Sequence, residues 1–252
     1  MNILVCIKPI KKELIGERVE LCERYCINPY DMFALNEALK IKKNTNDTTV
    51  ECVCMGVIDA QEVLKRCLAM GADDVYLLSD ISFTGSDTIA TSYVLSKFIE
   101  TKNYDYIFCG CKSIDGETGQ VVFGLSERLK FACVTKVVEI TLAKENSLTM
   151  IRSEESYDSI LRSNGKTIVV FDDFSIEAGI SLIAMKRSNK RAIHILTGQQ
   201  IGVLPSLCGQ KGSKTQIIGA LDILEKRECQ YISCGTKEQA QFLYELLKIN
   251  GL

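Results

Sequence analysis

Between residues 110 and 120 the chain reads Gly110-Cys111-Lys112-Ser113-Ile114-Asp115-Gly116-Glu117-Thr118-Gly119-Gln120, directly after an apolar run and directly before an amphipathic one. Its three glycines let backbone amides approach a ligand, and a helix opening at Thr118 would aim its positive end at a phosphate. The same residues also have a structural use: Asp115 or Thr118 can cap the helix while the glycines turn the chain. Neither a G-x-G-x-x-G fingerprint nor a Walker lysine is present, so the standard dinucleotide and P-loop modes are not supported. In open parallel sheets ligands bind beyond the carboxyl ends of the strands. Three more strand ends therefore join the set: Cys6-Ile7-Lys8, Cys54-Met55-Gly56, and Gly85-Ser86-Asp87-Thr88, where Asp87-Thr88 has the same double reading of cap or ligand.

Other chemistries fit less well. Cys52-x-Cys54 and Cys109-x-Cys111 lie where strands are expected, which turns each middle residue to the opposite face, and no second pair follows at zinc-like spacing. The single histidine, His194, stands in the alternation Ala192-Ile193-His194-Ile195-Leu196 and reads as an outward strand residue. With one histidine, a Ser-His-Asp plan or a His-rich metal site lacks its usual components. The twelve cysteines are scattered through apolar elements of a long chain and read as reduced thiols.

The elements that must position these residues alternate. Apolar runs at Ile3–Ile7, Thr49–Met55, Val75–Leu78, Tyr106–Cys109 and Thr167–Phe171 read as strands. Helices are expected at Tyr30–Lys43, with Asn28 as cap and Pro29 in the first turn, and at Ala60–Met70, Asp87–Thr101, Thr118–Leu129 and Ile176–Lys186. This predicts an α/β fold, a parallel-sheet nucleotide-binding domain with helices on both faces. From Val134 the period becomes two, through Val134–Leu142, Leu148–Arg152 and Tyr157–Leu161 with a turn at Lys144–Ser147, so a small antiparallel hairpin element is expected near 134–162. After a strand at Ala192–Leu196 the chain turns Gly-rich and irregular to Thr215 and ends in a helix over Lys237–Ile249. An α/β domain over 1–196 and a partner-embracing arm with C-terminal helix over 197–252 are the expected divisions, because a long structureless stretch inside a compact domain is uncommon.

Composition narrows the class. The chain has 252 residues, 46% of them apolar, and 30 Lys and Arg against 32 Asp and Glu. It can bury a substantial core, and it has no basic field for nucleic acid or an anionic membrane. No stretch nears the roughly 18 to 20 apolar residues of a membrane span. Lys8, Lys11 and Lys12 follow the first apolar run instead of preceding it as in a secretory signal, which predicts a cytoplasmic protein without membrane insertion.

Ala69-Met70-Gly71-Ala72-Asp73 and Asp115-Gly116-Glu117-Thr118-Gly119-Gln120-Val121 together resemble the beta (small) subunit of electron transfer flavoproteins. The likeness runs nearly end to end: Ile27-Asn28-Pro29-Tyr30-Asp31 with Glu37-Ala38-Leu39 resembles that family's Asn-Pro helix opening, Phe83–Thr88 its third-strand loop, and Gly209–Thr215 its arm. The resemblance implies an electron carrier, a heterodimer with an FAD-bearing alpha (large) subunit that exchanges electrons with a dehydrogenase. The small subunit would itself hold FAD or, alternatively, AMP. Carried over residue by residue, the nucleotide contacts fall at Cys6, Asn28, Pro29, Tyr30, Asp31, Met55 and the loop from Cys111 to Val121. The short Asp115–Val121 form and the Phe83–Thr88 segment are similar to the FAD-holding members, some of which bifurcate electrons from NADH. Gly85 and Gly119 would leave a slot for the flavin. A stand-alone nucleotide-binding regulatory domain is the alternative from another class. One region departs from the family pattern: Phe174–Leu182 stands where an Arg-Tyr cluster is usual.

Overall fold

The computed structural model describes residues 1–11, 25–45, 47–144, 147–175, 180–216, 219 and 233–249, and it divides into two units, Met1–Gln216 and Ile217–Leu252. The first is built on a sheet of nine strands: β1 Asn2–Cys6, β4 Thr49–Met55, β5 Asp74–Leu78, β6 Tyr106–Gly110, β7 Ala132–Lys144, β8 Ser147–Ser153, β9 Asp158–Ser163, β10 Thr167–Phe171 and β11 His194–Leu196. Two short strands, β2 Pro9–Lys11 and β3 Tyr25–Ile27, pair antiparallel beside it. The sheet order is β11-β5-β4-β1-β6-β10-β7-β8-β9, parallel from β11 through β7 and antiparallel from β7 to β9.

The central strands are apolar on both sides because both faces are covered. Ile3 and Val5 point with Cys52, Cys54 and Val169 into a core shared with Ala34, Leu35 and Ala38 of α1 (Pro29–Asn44) and Val63, Leu64 and Cys67 of α2 (Gln61–Met70). Leu4, Val53, Ile168 and Val170 alternate to the other face. There they meet Val94 and Phe98 of α3 (Thr88–Glu100) and Val122 and Leu125 of α4 (Val121–Leu129). The α/β architecture with helices on both faces is thus present.

Several local expectations shift for identifiable reasons. The expected antiparallel hairpin element is present and continues the main sheet: β7 pairs parallel with β10 through Ala132–Val134 and then antiparallel with β8, which pairs antiparallel with β9. An extra residue between Val134 and Val137, with Lys136 at φ 58°, makes a bulge that bends the strand from one partner to the other. Glu145 and Asn146 of its expected turn lie outside the described residues. Helix α4 begins at Val121, three residues after Thr118, because Glu117 (φ 51°) and Gly119 (φ 60°) take left-handed conformations that a right-handed helix excludes. The helix expected over Ile176–Lys186 is seen as α5, Leu182–Ser188, capped by the Ser181 hydroxyl, with 176–179 outside the described residues. Residues 197–216, expected to begin an arm, pack on the sheet unit. The Gly198 N–H donates to Asp80 Oδ2 at 2.9 Å and the Gly209 N–H to Ser86 Oγ at 3.0 Å, around the single helical turn α6, Gly209–Gly212. The second unit contributes helix α7, Thr236–Ile249, with Ala240, Leu243, Leu246 and Leu247 in its apolar stripe. No described helix is long and apolar enough to cross a membrane.

One buried carboxylate joins the middle of this sheet to α1. Asp31, only 6% exposed, accepts the Lys8 N–H at Oδ2 (2.8 Å) and the Gly110 N–H at Oδ1 (3.1 Å). Those amides lie at the carboxyl ends of the adjacent strands β1 and β6. A Cβ on Gly110 would stand 2.5 Å from Tyr30 Cβ and 2.7 Å from Asp31 Oδ1, so glycine is what lets the helix approach. Burial pushes the Asp31 carboxyl up to about 7, against the amides of Lys8 and Gly110 and the side chain of Asn28, which favour the ionised form.

Two outcomes are expected. Gly110→Ala should destabilise the fold by about 1 to 3 kcal/mol or more through overpacking, read as a lower urea midpoint. Because the folded pKa of Asp31 lies above its unfolded value, its stabilising share is complete below about pH 4 and is lost as pH rises through about 7. Wild type should therefore lose stability relative to Asp31→Asn across that window, on the order of 4 kcal/mol, and parallel pH profiles for the two proteins would contradict it.

Candidate functional site

The carboxyl ends of β4, β1 and β6 stand side by side and bring Met55, Cys6 and Gly110 to one rim of the sheet. Asn28, expected to cap α1, holds the N-cap position but makes no side-chain cap. Its Nδ2 donates instead to the Lys112 carbonyl at 2.8 Å and its Oδ1 accepts the Ile114 N–H at 3.4 Å, so it fastens the 110–120 loop over the helix start. From the strand side, Lys8 Nζ reaches the same loop, 2.6 Å from Asp115 Oδ1 and 3.0 Å from Ser113 Oγ. The Ser113 carbonyl accepts the Glu117 N–H at 2.9 Å, and Cys111 N–H donates to the Phe171 carbonyl at 2.9 Å. Lys112 Nζ lies 3.7 Å from Glu117 Oε1 and 5.7 Å from the centre of the Tyr30 ring, which meets Phe174 edge-on at 6.2 Å. Pro29 accepts the Ser175 N–H at 3.1 Å. Cys6, Asn28–Asp31 and Gly110–Gly116 thus form one connected cluster.

The thiols and the loop carboxylate of this cluster are not activated for covalent work, and Asp31, the carboxyl raised to about 7, is buried under the strand ends. Burial and the adjoining Asp172 push the Cys111 thiol up to about 12, and the hydrogen bond to Cys6 together with burial raises Cys109 well above the ordinary thiol range. Burial also pushes the Asp115 carboxyl up, but hydrogen bonds from the Lys8 ammonium and the Ser113 hydroxyl outweigh it and hold Asp115 below its usual range. The arrangement is suited to binding.

What it offers a ligand is backbone. Among the described residues, the N–H groups of Gly116, Thr118, Gly119 and Gln120 have no hydrogen-bond partner within the chain, and α4 starts at Val121 behind them without a side-chain cap. Left-handed residues next to right-handed ones, with free amides and a helix start, make an anion-accepting concavity. A Cβ at Gly116 would lie 3.5 Å from Lys8 Nζ and 3.6 Å from Ser113 Oγ, ordinary contact distances, so this glycine serves access and not folding. A Cβ at Gly119 would stand 2.9 Å from the Cys111 carbonyl.

Other expected residues have work within the fold. Asp87 Oδ1 accepts the Ile89 and Ala90 N–H groups, each at 2.9 Å, as the cap of α3. Its Oδ2 accepts the N–H groups of Lys214 (2.7 Å) and Thr215 (3.1 Å). Thr88 is the first residue of α3. Gly85 (φ 75°) lies against Gln210, with a Cβ 3.4 Å from that of Gln210, so it leaves no slot. Gly56 donates its N–H to Leu78 at 3.1 Å and fits against Ala60 and Pro9, while Met55 packs on the α3–α4 core. Neither Asp115 nor Thr118 caps α4. Lys8, a strand-end candidate in the sequence, gains its partners Asp115 and Ser113 only in the fold, and Asp172, with no signal in the sequence, is brought beside Cys111.

The electron transfer flavoprotein domain matches residues 19–178. The electron transfer flavoprotein subunit beta of Thermoanaerobacterium thermosaccharolyticum is 33% identical, over 98% of this chain and 98% of its own. The caffeyl-CoA reductase-Etf complex subunit CarD of Acetobacterium woodii is 34% identical over 86% of each, and the beta subunit of Clostridium acetobutylicum 30% over 98% of each. A nucleotide-type sheet, a backbone-lined loop without activated side chains and these likenesses agree: the chain belongs to the electron transfer flavoprotein family, as a beta subunit.

Proposed function

We propose that this chain, which works in electron transfer as the small subunit of a flavoprotein heterodimer, holds FAD at the rim formed by Cys6, Asn28–Asp31, Met55 and 110–121. We further propose that the heterodimer takes electrons from NADH and divides them between acceptors. The observation that carries the reading is the run of unpartnered amides at Gly116 and Thr118–Gln120 on a loop anchored by Asn28 and Lys8. Such donors suit a phosphate, and the partly exposed Tyr30 and Met55 on the same rim suit an adenine ring. AMP would satisfy the same donors. FAD is favoured by the likeness of Asp115–Val121 and Phe83–Thr88 to FAD-holding members. Glycines 85 and 119 add nothing to that choice, since both are used inside the fold.

A bound flavin supplies the redox chemistry by accepting hydride and passing electrons on. This chain's residues bind and orient. Asp31 fixes the spacing of the β1 and β6 ends, Asn28 holds the loop, and the raised thiols of Cys109 and Cys111 stay protonated and inert beside it. The partners are the FAD-bearing large subunit and a dehydrogenase, and the second unit with α7 is assigned to the large subunit's side.

Purified together with its large subunit, denatured and separated by chromatography, the complex should release two FAD per heterodimer, and NADH added anaerobically should bleach flavin absorbance. One FAD with one AMP moves the assignment to the AMP-holding type, and two flavins that NADH leaves unbleached remove the NADH reaction. Gly116→Ala should fold as wild type yet hold its nucleotide roughly 5- to 150-fold more weakly, the equivalent of about 1 to 3 kcal/mol of unmade polar contacts. Undiminished nucleotide content in that variant would assign the loop a structural role only.

A further inference from the structure

Lys8 is built differently from an ordinary surface lysine. Its backbone is fixed on both sides, since its N–H donates to buried Asp31 at 2.8 Å and its carbonyl accepts the Asn28 N–H at 3.1 Å. Its side chain is 47% exposed, so a rooted stem carries a head free to move. That head sits on Asp115 and Ser113, 3.5 Å from where a Cβ of Gly116 would be, and so beside the first of the unpartnered amides.

Charge adds a second argument. Lys8 and Lys112 are balanced by Asp115 and Glu117, so the loop in this state has no surplus positive charge to offer a phosphate. Lys112 is paired with Glu117 and lies over the Tyr30 ring. Asp115 therefore reads as a placeholder: its carboxylate occupies the ammonium in the way a phosphate oxygen would, and exchange of one anion for the other costs little desolvation.

Resting on the adenine-nucleotide reading above, we propose that the Lys8 ammonium leaves Asp115 for the nucleotide phosphate on binding, and that this exchange makes the site select nucleotides over nucleosides. Lys8 is then a specificity-determining residue contributed by the end of the first strand, outside the glycine-rich loop itself. The exchange also predicts that the loop is held in shape before the ligand arrives, with the cation already in position.

The test uses the heterodimer depleted of its small-subunit nucleotide and titrated calorimetrically with AMP and with adenosine. Lys8→Gln should weaken AMP binding tenfold or more and leave adenosine within twofold of wild type, whereas Lys8→Arg should keep most of the preference for AMP. The double variant Lys8→Gln/Asp115→Asn should stay weak for AMP. An unchanged AMP-to-adenosine ratio in Lys8→Gln overturns the proposal. So does recovery of AMP binding in the double variant, which would mean that Lys8 acts only by neutralising Asp115. A wild-type heterodimer that binds neither probe and releases no nucleotide overturns the underlying reading itself, a result distinct from both.

Discussion

The contact on which the site depends is the carboxylate of Asp31 set between two strand ends. Parallel strands leave their last amides pointing outward with no sheet partner, and a nucleotide site needs those ends open yet rigid. Asp31 satisfies the amides of Lys8 and Gly110 from the first turn of α1. The position of the helix, the separation of β1 from β6 and the root of Lys8 follow from one side chain. Burial works against its charge, and the two amides together with the Asn28 side chain offset part of that cost. The glycine at 110 belongs to the same device, because any side chain there would push Tyr30 and Asp31 away.

From this point outward the molecule separates rigidity from chemistry. Asn28 and Lys8 stake the loop at its two sides, while burial keeps the Cys109 and Cys111 thiols protonated, helped by Cys6 at the first and Asp172 at the second. A small subunit of an electron carrier has no need of a nucleophile of its own, because the flavin performs the redox chemistry. The same economy appears at Asp87, whose two oxygens divide between the start of α3 and the 214–215 backbone.

The sheet was legible in the sequence wherever a strand is buried on both faces. Ile3–Cys6 and Ile168–Phe171 are apolar without interruption, Thr49–Met55 is broken only at Glu51, and their partners alternate with helices of clear period. The rest depended on tertiary competition. Asn28 looks like a helix cap, and it occupies that position, but the loop outbids the helix for its side chain. The left-handed turn at Glu117 has no signature in a residue that usually avoids it, so the sequence pattern starts α4 three residues before the fold does. Residues 197–216 look loose because they are Gly-rich and polar, yet Asp80 and Asp87 order their backbone from far away in the chain. Lys8 stands at a strand end in the sequence, but only the fold places Asp115 against it.

The way the sheet ends has a bearing on what this chain can join. Its outermost strands are β9, six residues long and carrying Asp158 and Arg162, and β11, three residues long with His194 lying 3.5 Å from Asp74. Short, charged margins are poor templates for a neighbouring backbone, so a second copy gains little by extending the sheet. The bulge at Lys136, which turns β7 from β10 to β8, adds twist where a flat margin would otherwise continue. Growth into a continuous β-structure is thereby discouraged at both margins, and lasting association of this chain falls to side-chain surfaces, where fit and not hydrogen-bond hunger selects the companion.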